Sequence, residues 1–427
     1  MNYDAVVVGA GPGGIAAATV AAEAGLSVCL LDDNLSPGGQ IWRGFCAGTA
    51  QKHPHGREFL KWINRLRHTK CEVLSGWHAT DHPEPNLLRV ERDHECRDVA
   101  YRRLILATGA RERFLPFPGW TLPGVAGAGG LQALVKAGLD MTGKRVVVAG
   151  SGPLLLAVAA GLANAGAKIV GIYEQAPFSR LIGFGFTLAS HPDKLVEGVR
   201  YRRKLRGVPY CAGSWTVRAE GSEHIERATI TNGRKQWTHD CDWLASGFHL
   251  VPNLEFPRLL GCRIVDGYVS VDSLQRSSVP GVACIGELTG IGGLEKALLE
   301  GEIAGWAAAE RESEARALAL HLEPMRRFAQ RLDRAFALRN ELRAVPNAET
   351  LVCRCEDVPY CDLKECRSFR EAKLHTRCGM GACQGRICGA AAEFLFDWKQ
   401  AGVRPPVLPA AVSVVAARSG SAESTKL

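Results

Sequence analysis

The sequence predicts an α/β fold with two strand–glycine loop–helix units of the dinucleotide-binding (Rossmann-like) type, followed by a small α-rich domain. Three observations carry this. A glycine-rich turn at residues 9–14 stands between an apolar strand and an alanine-rich helix. A similar turn returns at residues 150–155. Seven of the 15 cysteines fall between Cys353 and Cys388.

In the first unit, Ala5–Val8 reads as a buried parallel strand. Gly9-Ala10-Gly11-Pro12-Gly13-Gly14 follows, then a helix from about Ile15 to Ala24, capped by Gly25. Ser27–Leu31 is the next strand and ends at Asp32. Gly9 permits the tight turn, Gly11 lets a pyrophosphate approach the backbone, and Gly14 lets helix and strand pack closely. The helix N-terminus presents free N–H groups and a positive dipole end to phosphate. Asp32 stands where a carboxylate accepts hydrogen bonds from ribose hydroxyls. Strand, loop, helix, strand and acid occur in the order that FAD binding requires. The apolar run Ala5–Leu31 is long enough to span a bilayer. Its glycines and Glu23 instead match a βαβ unit with both strands buried.

The second unit is altered. Lys144–Ala149 is a strand, followed by Gly150-Ser151-Gly152-Pro153-Leu154-Leu155, a helix to about Ala165, and a strand Lys168–Tyr173 that leads to Glu174. Leu155 replaces the third glycine and holds the helix further from the strand. The unit therefore reads either as a second nucleotide site (ATP or NAD(P), through Gly150, Gly152 and Glu174) or as a nucleotide fold without a nucleotide.

Composition limits the alternatives. The chain has 427 residues. That length suits two to three domains of roughly 150 residues each. Hydrophobic residues make up 46% and charged residues 22%, as in a globular protein. The net charge of +8 is spread without a basic block, which excludes a nucleic-acid footprint. Met1-Asn2-Tyr3-Asp4 leads straight into a strand with no secretory signal. That start, an odd cysteine count and a tight terminal cluster predict a reducing, cytoplasmic setting and metal ligation in place of disulfides.

Cys353-Arg354-Cys355 puts two thiols on one short turn, and Cys361, Cys366, Cys378, Cys383 and Cys388 follow. Four thiolates suit a [2Fe–2S] cluster or zinc. Zinc sites favour CxxC knuckles, and this stretch has none. The glycine-rich run Arg377–Arg386 supplies backbone N–H groups and two guanidinium charges to a negative cluster. Before it, residues 311–345 are charged and helix-periodic, with an apolar stripe Leu318, Leu320, Leu322, Met325, Phe328, Leu332 and Phe336, and Pro346 ends the segment.

These motifs carry three resemblances. Leu104–Ala110 (LILATGA) and Val282–Glu287 (VACIGE) resemble the two strands that leave and re-enter the FAD domain in the flavoprotein superfamily of the glutathione and thioredoxin reductases. The resemblance implies an FAD domain of residues 1–115 and 245–310, with a second nucleotide domain, 116–244, inserted. It implies cofactor contacts at Thr108, Gly109 and Gly286, and at Glu287, which stands where the family has aspartate. The cysteine pair that serves the flavin in its disulfide reductases is missing, because the cysteines before Cys353 are widely separated. The stretch CRCEDV…TRCGMGACQGRIC resembles the bacterioferritin-associated-ferredoxin-like [2Fe–2S] domain. It implies a domain of residues 347–400 with ligands Cys353, Cys355, Cys383 and Cys388. Cys378 stands where it can substitute for one ligand, whereas Cys361 and Cys366 have no family counterpart.

As a set, PGGQIW (Pro37–Trp42, with Gln40 beside the cofactor), ATGARER, GSGPLLLA, GELTGIGG and the CxC cluster resemble the larger flavoprotein subunit of heteromeric amino- or imino-acid dehydrogenases. That family includes the A subunit of opine oxidase, the B subunit of hydrogen cyanide synthase and the α subunit of D-hydroxyproline or L-proline dehydrogenase. It implies a D-amino-acid-oxidase-like partner subunit that oxidises the substrate and a small ferredoxin-like subunit. Electrons would pass through this chain to an acceptor linked peripherally to the respiratory chain, with no transmembrane segment. The alternatives are a stand-alone NAD(P)H-dependent flavin reductase and a non-catalytic nucleotide-binding scaffold. The catalytic residues are unassigned: His249 and the other histidines stand singly in the sequence. The linker 311–346 is expected to be helical, the tail 401–427 extended, and Ser419–Leu427 disordered.

Overall fold

The computed structural model describes residues 2–45, 55–188, 191–399 and 402–417. Cys46 and the stretch Ser419–Leu427 lie outside the described residues. The chain divides into two compact units. One comprises Met1–Arg111, Pro252–Ala329 and Gly402–Leu427, and the other Glu112–Val251 and Gln330–Ala401.

The first unit is built on a mixed sheet with strand order Glu72–Ser75, Val28–Asp32, Asn2–Val8, Glu95–Leu106, Leu87–Arg92 and His78–Glu84; Val282–Cys284 also pairs with Glu95–Leu106. The strands nearest the glycine loop pair in parallel, and their segments Ala5–Val8, Val28–Leu31 and Leu104–Leu106 are apolar, because both faces are covered. Side-chain alternation sorts them between two cores. Ala5, Val7, Leu30 and Ile105 pack with the helices Pro12–Glu23, Gly56–Arg67 and Leu294–Ala308. Val6, Val8, Cys29, Leu31, Leu104 and Leu106 form a core on the opposite face.

The helices Pro12–Glu23 and Leu294–Ala308 touch through small residues. A Cβ on Gly301 would lie 2.2 Å from the Gly13 carbonyl oxygen and 2.9 Å from the Ala16 Cβ. This contact draws the glycine loop and the Gly286–Gly293 turn together, since each helix starts at one of them.

The tail also belongs to this unit. Val407 N–H donates to the Thr80 carbonyl at 2.8 Å, and Ala411 N–H to the Glu91 carboxylate at 3.1 Å. Buried Arg89 donates to Asp98 at 2.9 Å and to the Ala417 carbonyl at 2.7 Å. The tail is not extended throughout, because Val412–Ala416 forms one short helix over Arg89.

The second unit has a parallel five-stranded sheet, ordered Tyr210–Ala212, Lys168–Glu174, Arg145–Ser151, Trp243–Phe248 and Val125–Gly127. An antiparallel sheet of Trp215–Glu220, Arg227–Thr231 and Gln236–Asp240 adjoins it. Its cysteine-bearing part pairs Leu351–Cys353 with Val358–Pro359 and adds the helices Tyr360–Lys364, Phe369–Thr376 and Cys388–Phe396. Ser368 caps the middle helix by accepting the Glu371 N–H, and left-handed Arg377 ends it just before Cys378. The stretch 311–345 holds the helices Glu312–Ala319 and Leu322–Ala335. Leu320 does not join the apolar stripe: it is exposed in the turn between these helices, where the helical period breaks.

Gly301→Val places branched carbon against backbone that cannot yield. It should lower unfolding free energy by roughly 1–3 kcal/mol in urea titrations.

Candidate functional site

The first glycine loop is fixed by backbone contacts that exclude side chains. Gly9 has φ of +103°, and a Cβ there would lie 2.3 Å from the Ala107 carbonyl oxygen; one on Gly14 would lie 1.8 Å from the Gly9 oxygen. Gly11 differs, because its Cβ direction meets no atom within 4 Å. The helix that follows has neither a side-chain cap nor an acid in its first turn, so its leading N–H groups are left for an anion. The loop is roofed by the next turn: Gly38 N–H donates to the Ala10 carbonyl at 2.7 Å. Gln40, in that turn, is exposed.

Asp32 is almost fully buried at the end of its strand. One carboxylate oxygen accepts the Ala10 N–H. The other accepts the backbone and side-chain N–H groups of Asn34, each at 2.7 Å. Burial pushes its carboxyl up, and these bonds pull it back. Two oxygens offer about four lone-pair sites, so acceptor capacity remains for a ribose hydroxyl. Thr108 and Gly109 are clamped by Asn253: its side-chain amide donates to the Thr108 carbonyl at 2.7 Å and its N–H to the Gly109 carbonyl at 3.0 Å.

The Gly286–Gly293 turn rests on an ion pair that sequence reasoning missed. Lys296 and Glu300 are both buried. They meet at 2.9 Å, one helical turn apart. Glu300 accepts the Gly286 N–H at 2.8 Å and the Thr289 hydroxyl at 2.9 Å. Lys296 donates to the Gly286 carbonyl at 3.0 Å and to Thr289 Oγ1 at 2.8 Å. Glu287 turns onto its own loop and accepts the N–H groups of Gly292 and Gly293 at 3.1 and 3.2 Å. Burial raises its carboxyl, while Lys296 pulls it down. Lysine four residues before glutamate was visible in the sequence, but surface pairs share that spacing. An open glycine-loop backbone, uncapped helix N–H groups and a buried acid with spare lone pairs together fit the pyrophosphate and ribose of FAD.

The second loop is similar, and polar groups at it are engaged by the chain itself. Glu174 is fully buried and accepts the N–H groups of Gly152 at 2.7 Å and Ala176 at 2.8 Å. Burial pushes its carboxyl up to about 7. Leu155, at the third-glycine position, packs into the core. The chain's own later segment crosses the loop. Ser151 donates to the Phe336 carbonyl at 3.0 Å; Gln175 donates to Ser151 Oγ at 2.9 Å and to the Phe336 and Ala337 carbonyls at 3.3 Å. Arg339 N–H returns to Gln175 Oε1 at 3.1 Å, and the Phe336 ring packs edge-on against Phe184. His249 is not single, since its Nε2 lies 2.9 Å from the Asp333 carboxylate.

In the C-terminal region the Sγ atoms of buried Cys353, Cys378 and Cys388 lie within 4.8 Å of one another. The Cys383 thiol contacts those of Cys388 and exposed Cys355. The N–H groups of Gly379 and Glu356 point at Cys353, and those of Ile387 and Gly385 at Cys383. Thiol contacts, and after them these amides, lower both thiols. Five thiols ringed by amide donors fit a thiolate-bound metal cluster. Cys361 and Cys366 point elsewhere, toward Asp362. The cysteines before Cys353 are not all isolated: the thiols of Cys262 and Cys284 meet in the strand core, although they stand far apart in sequence.

Residues 3–313 match the family described as pyridine nucleotide-disulphide oxidoreductase. Hydrogen cyanide synthase subunit HcnB of Pseudomonas aeruginosa is 31% identical over 91% of this chain and 91% of its own length. The opine oxidase A subunit of Rhizobium meliloti is 32% identical over 97% and 98%. The crystal structure of L-proline dehydrogenase from P. horikoshii superposes with a TM-score of 0.71 at 20% identity, covering 98% of this chain and 80% of that one. Among the described residues, no helix is long and apolar enough to cross a membrane.

The buried charges are open to test. Lys296→Met strands Glu300 as an uncompensated buried charge. It should cost about 3–5 kcal/mol of stability in urea unfolding and reduce the FAD bound per chain. Glu174 binds its proton more tightly folded than unfolded, so its contribution to stability falls as pH rises from about 4.5 toward 7 and then levels. Glu174→Gln lacks this dependence. Wild-type stability relative to that variant should drop by about 2–3 kcal/mol between pH 5 and 8, read from paired denaturation curves.

Proposed function

Because this chain belongs to the pyridine nucleotide-disulphide oxidoreductase family, we propose that it is the FAD-bearing relay subunit of a multi-subunit amino- or imino-acid dehydrogenase. It is a flavin-dependent oxidoreductase. In the proposed reading it accepts electrons from a D-amino-acid-oxidase-like partner and passes them through a [2Fe–2S] centre to an acceptor linked to the respiratory chain. A small ferredoxin-like subunit completes the assembly. The donor is a small amino or imino acid, of the D-hydroxyproline or opine class, oxidised in the partner.

The observation that carries this reading is the convergence of five thiols, ringed by backbone N–H groups, in a chain that also keeps an open glycine loop. FAD takes up two electrons and releases them singly, and an iron–sulfur centre carries one. The chain's own groups hold these parts. Gly9, Gly11 and Gly14 admit the pyrophosphate, Asp32 takes the ribose, and Thr108, Gly109, Gly286 and Glu287 line the rest of the cofactor. Cys353, Cys355, Cys383 and Cys388 supply the cluster ligands. The relatives named above are themselves named as subunits, which supports a partner.

A stand-alone NAD(P)H reductase needs Gly150, Gly152 and Glu174 free to receive a dinucleotide. Here the Phe336–Arg339 segment takes the polar groups of Ser151 and Gln175 at that loop. That favours the relay.

Purified chain mixed anaerobically with excess NADH or NADPH should keep its oxidised flavin band, whereas a crude complex given the amino-acid donor should bleach it. Rapid bleaching of the isolated chain by NADH would replace the relay with a reductase. Affinity capture from the native host should recover a second flavoprotein in stoichiometric amount.

A further inference from the structure

A [2Fe–2S] cluster takes four protein ligands, and this chain brings five thiols to one place. Their contacts sort them into two groups. Cys353, Cys378 and Cys388 are buried, with Sγ atoms mutually within 4.8 Å. Cys355 and Cys383 touch each other on the outer side, and Cys383 also reaches Cys388. On the cluster assignment proposed above, on which this inference rests, the four ligands would be Cys353, Cys355, Cys383 and Cys388. Cys378 lies against the two buried ones, Cys353 and Cys388.

We propose that Cys378 is a reserve ligand to the buried half of the cluster, able to take the place of Cys353 or Cys388 when either is lost. The exchange is balanced. The Cys378 thiol gives its proton to solvent and its sulfur bonds the iron, while a displaced cysteine takes up a proton as it leaves. Backbone geometry holds Cys378 ready. The left-handed turn at Arg377 precedes it, and its N–H donates to the Thr376 hydroxyl at 3.2 Å. Among the described residues, the outer pair has no comparable spare, because Cys361 and Cys366 point to Asp362. Leu363 and Ala372 share the core around Cys378, so the rival role is packing as a small apolar side chain.

The two roles separate in full-length protein carrying single and double alanine substitutions, assayed for iron, acid-labile sulfide and the EPR spectrum after reduction. FAD content and far-UV circular dichroism report folding. Wild type should hold about two irons per chain. Cys388→Ala should keep both irons with shifted g-values, and adding Cys378→Ala should empty the site. Cys383→Ala should empty it alone. Cys353→Ala serves in place of Cys388→Ala if the latter fails to fold. The inference is overturned if Cys388→Ala loses its iron as completely as Cys383→Ala, or keeps it when Cys378 is also removed. Iron-free wild type would overturn the cluster assignment itself, which distinguishes the two failures.

Discussion

Three glycine loops in this protein are each held by a carboxylate from a neighbouring strand or helix. Asp32 accepts an N–H of the first loop, Glu174 one of the second, and Glu300 the Gly286 N–H. Glycine has no side chain with which to fix itself, and its backbone is the most entropically costly to order. A buried carboxylate that needs donors meets a loop that has donors to spare. Burial alone would make each acid costly; the loop bonds offset that cost and set the loop's shape. The loops ahead of the helices Pro12–Glu23 and Leu294–Ala308 are held by this exchange, and the proposed cofactor contacts on them depend on it.

Use of the device differs between the two loops. The first keeps Gly11 open, with no atom within 4 Å of its Cβ direction. In the second, the carbonyls of Phe336 and Ala337 occupy the hydroxyl and amide that flank the turn. The same local fold thus presents a receptive surface in one unit and a satisfied one in the other. What separates them is a segment far downstream in the chain, together with Leu155 at the third-glycine position.

That difference marks how far the sequence could be read. The apolar runs Ala5–Val8 and Ser27–Leu31, and the spacing of Gly9, Gly11 and Gly14 between them, are local signals, so the fold was legible from them. Contacts closed by tertiary structure were not. Cys262 meets Cys284, and His249 meets Asp333 84 positions away. Lys296 and Glu300 have the spacing of any solvated helical pair; only their burial, set by packing against the Gly286 turn, makes them structural. In the cysteine region, spacing pointed to the CxC pair and left Cys378 ambiguous, because which sulfurs face inward is decided where the helices end at Arg377 and begin at Cys388.

The tail anchored by Arg89 has a consequence for inheritance. The polypeptide completes its first unit only after the cysteine-bearing stretch has been made, when residues 402–417 return to Thr80, Glu91 and Arg89. A gene rearrangement that cut the chain before residue 347 would remove the cysteine cluster and also strip a strap from the nucleotide-binding sheet. Loss of the cysteine-bearing stretch would then be felt as instability elsewhere. That coupling penalises truncated descendants and keeps the two parts in one reading frame.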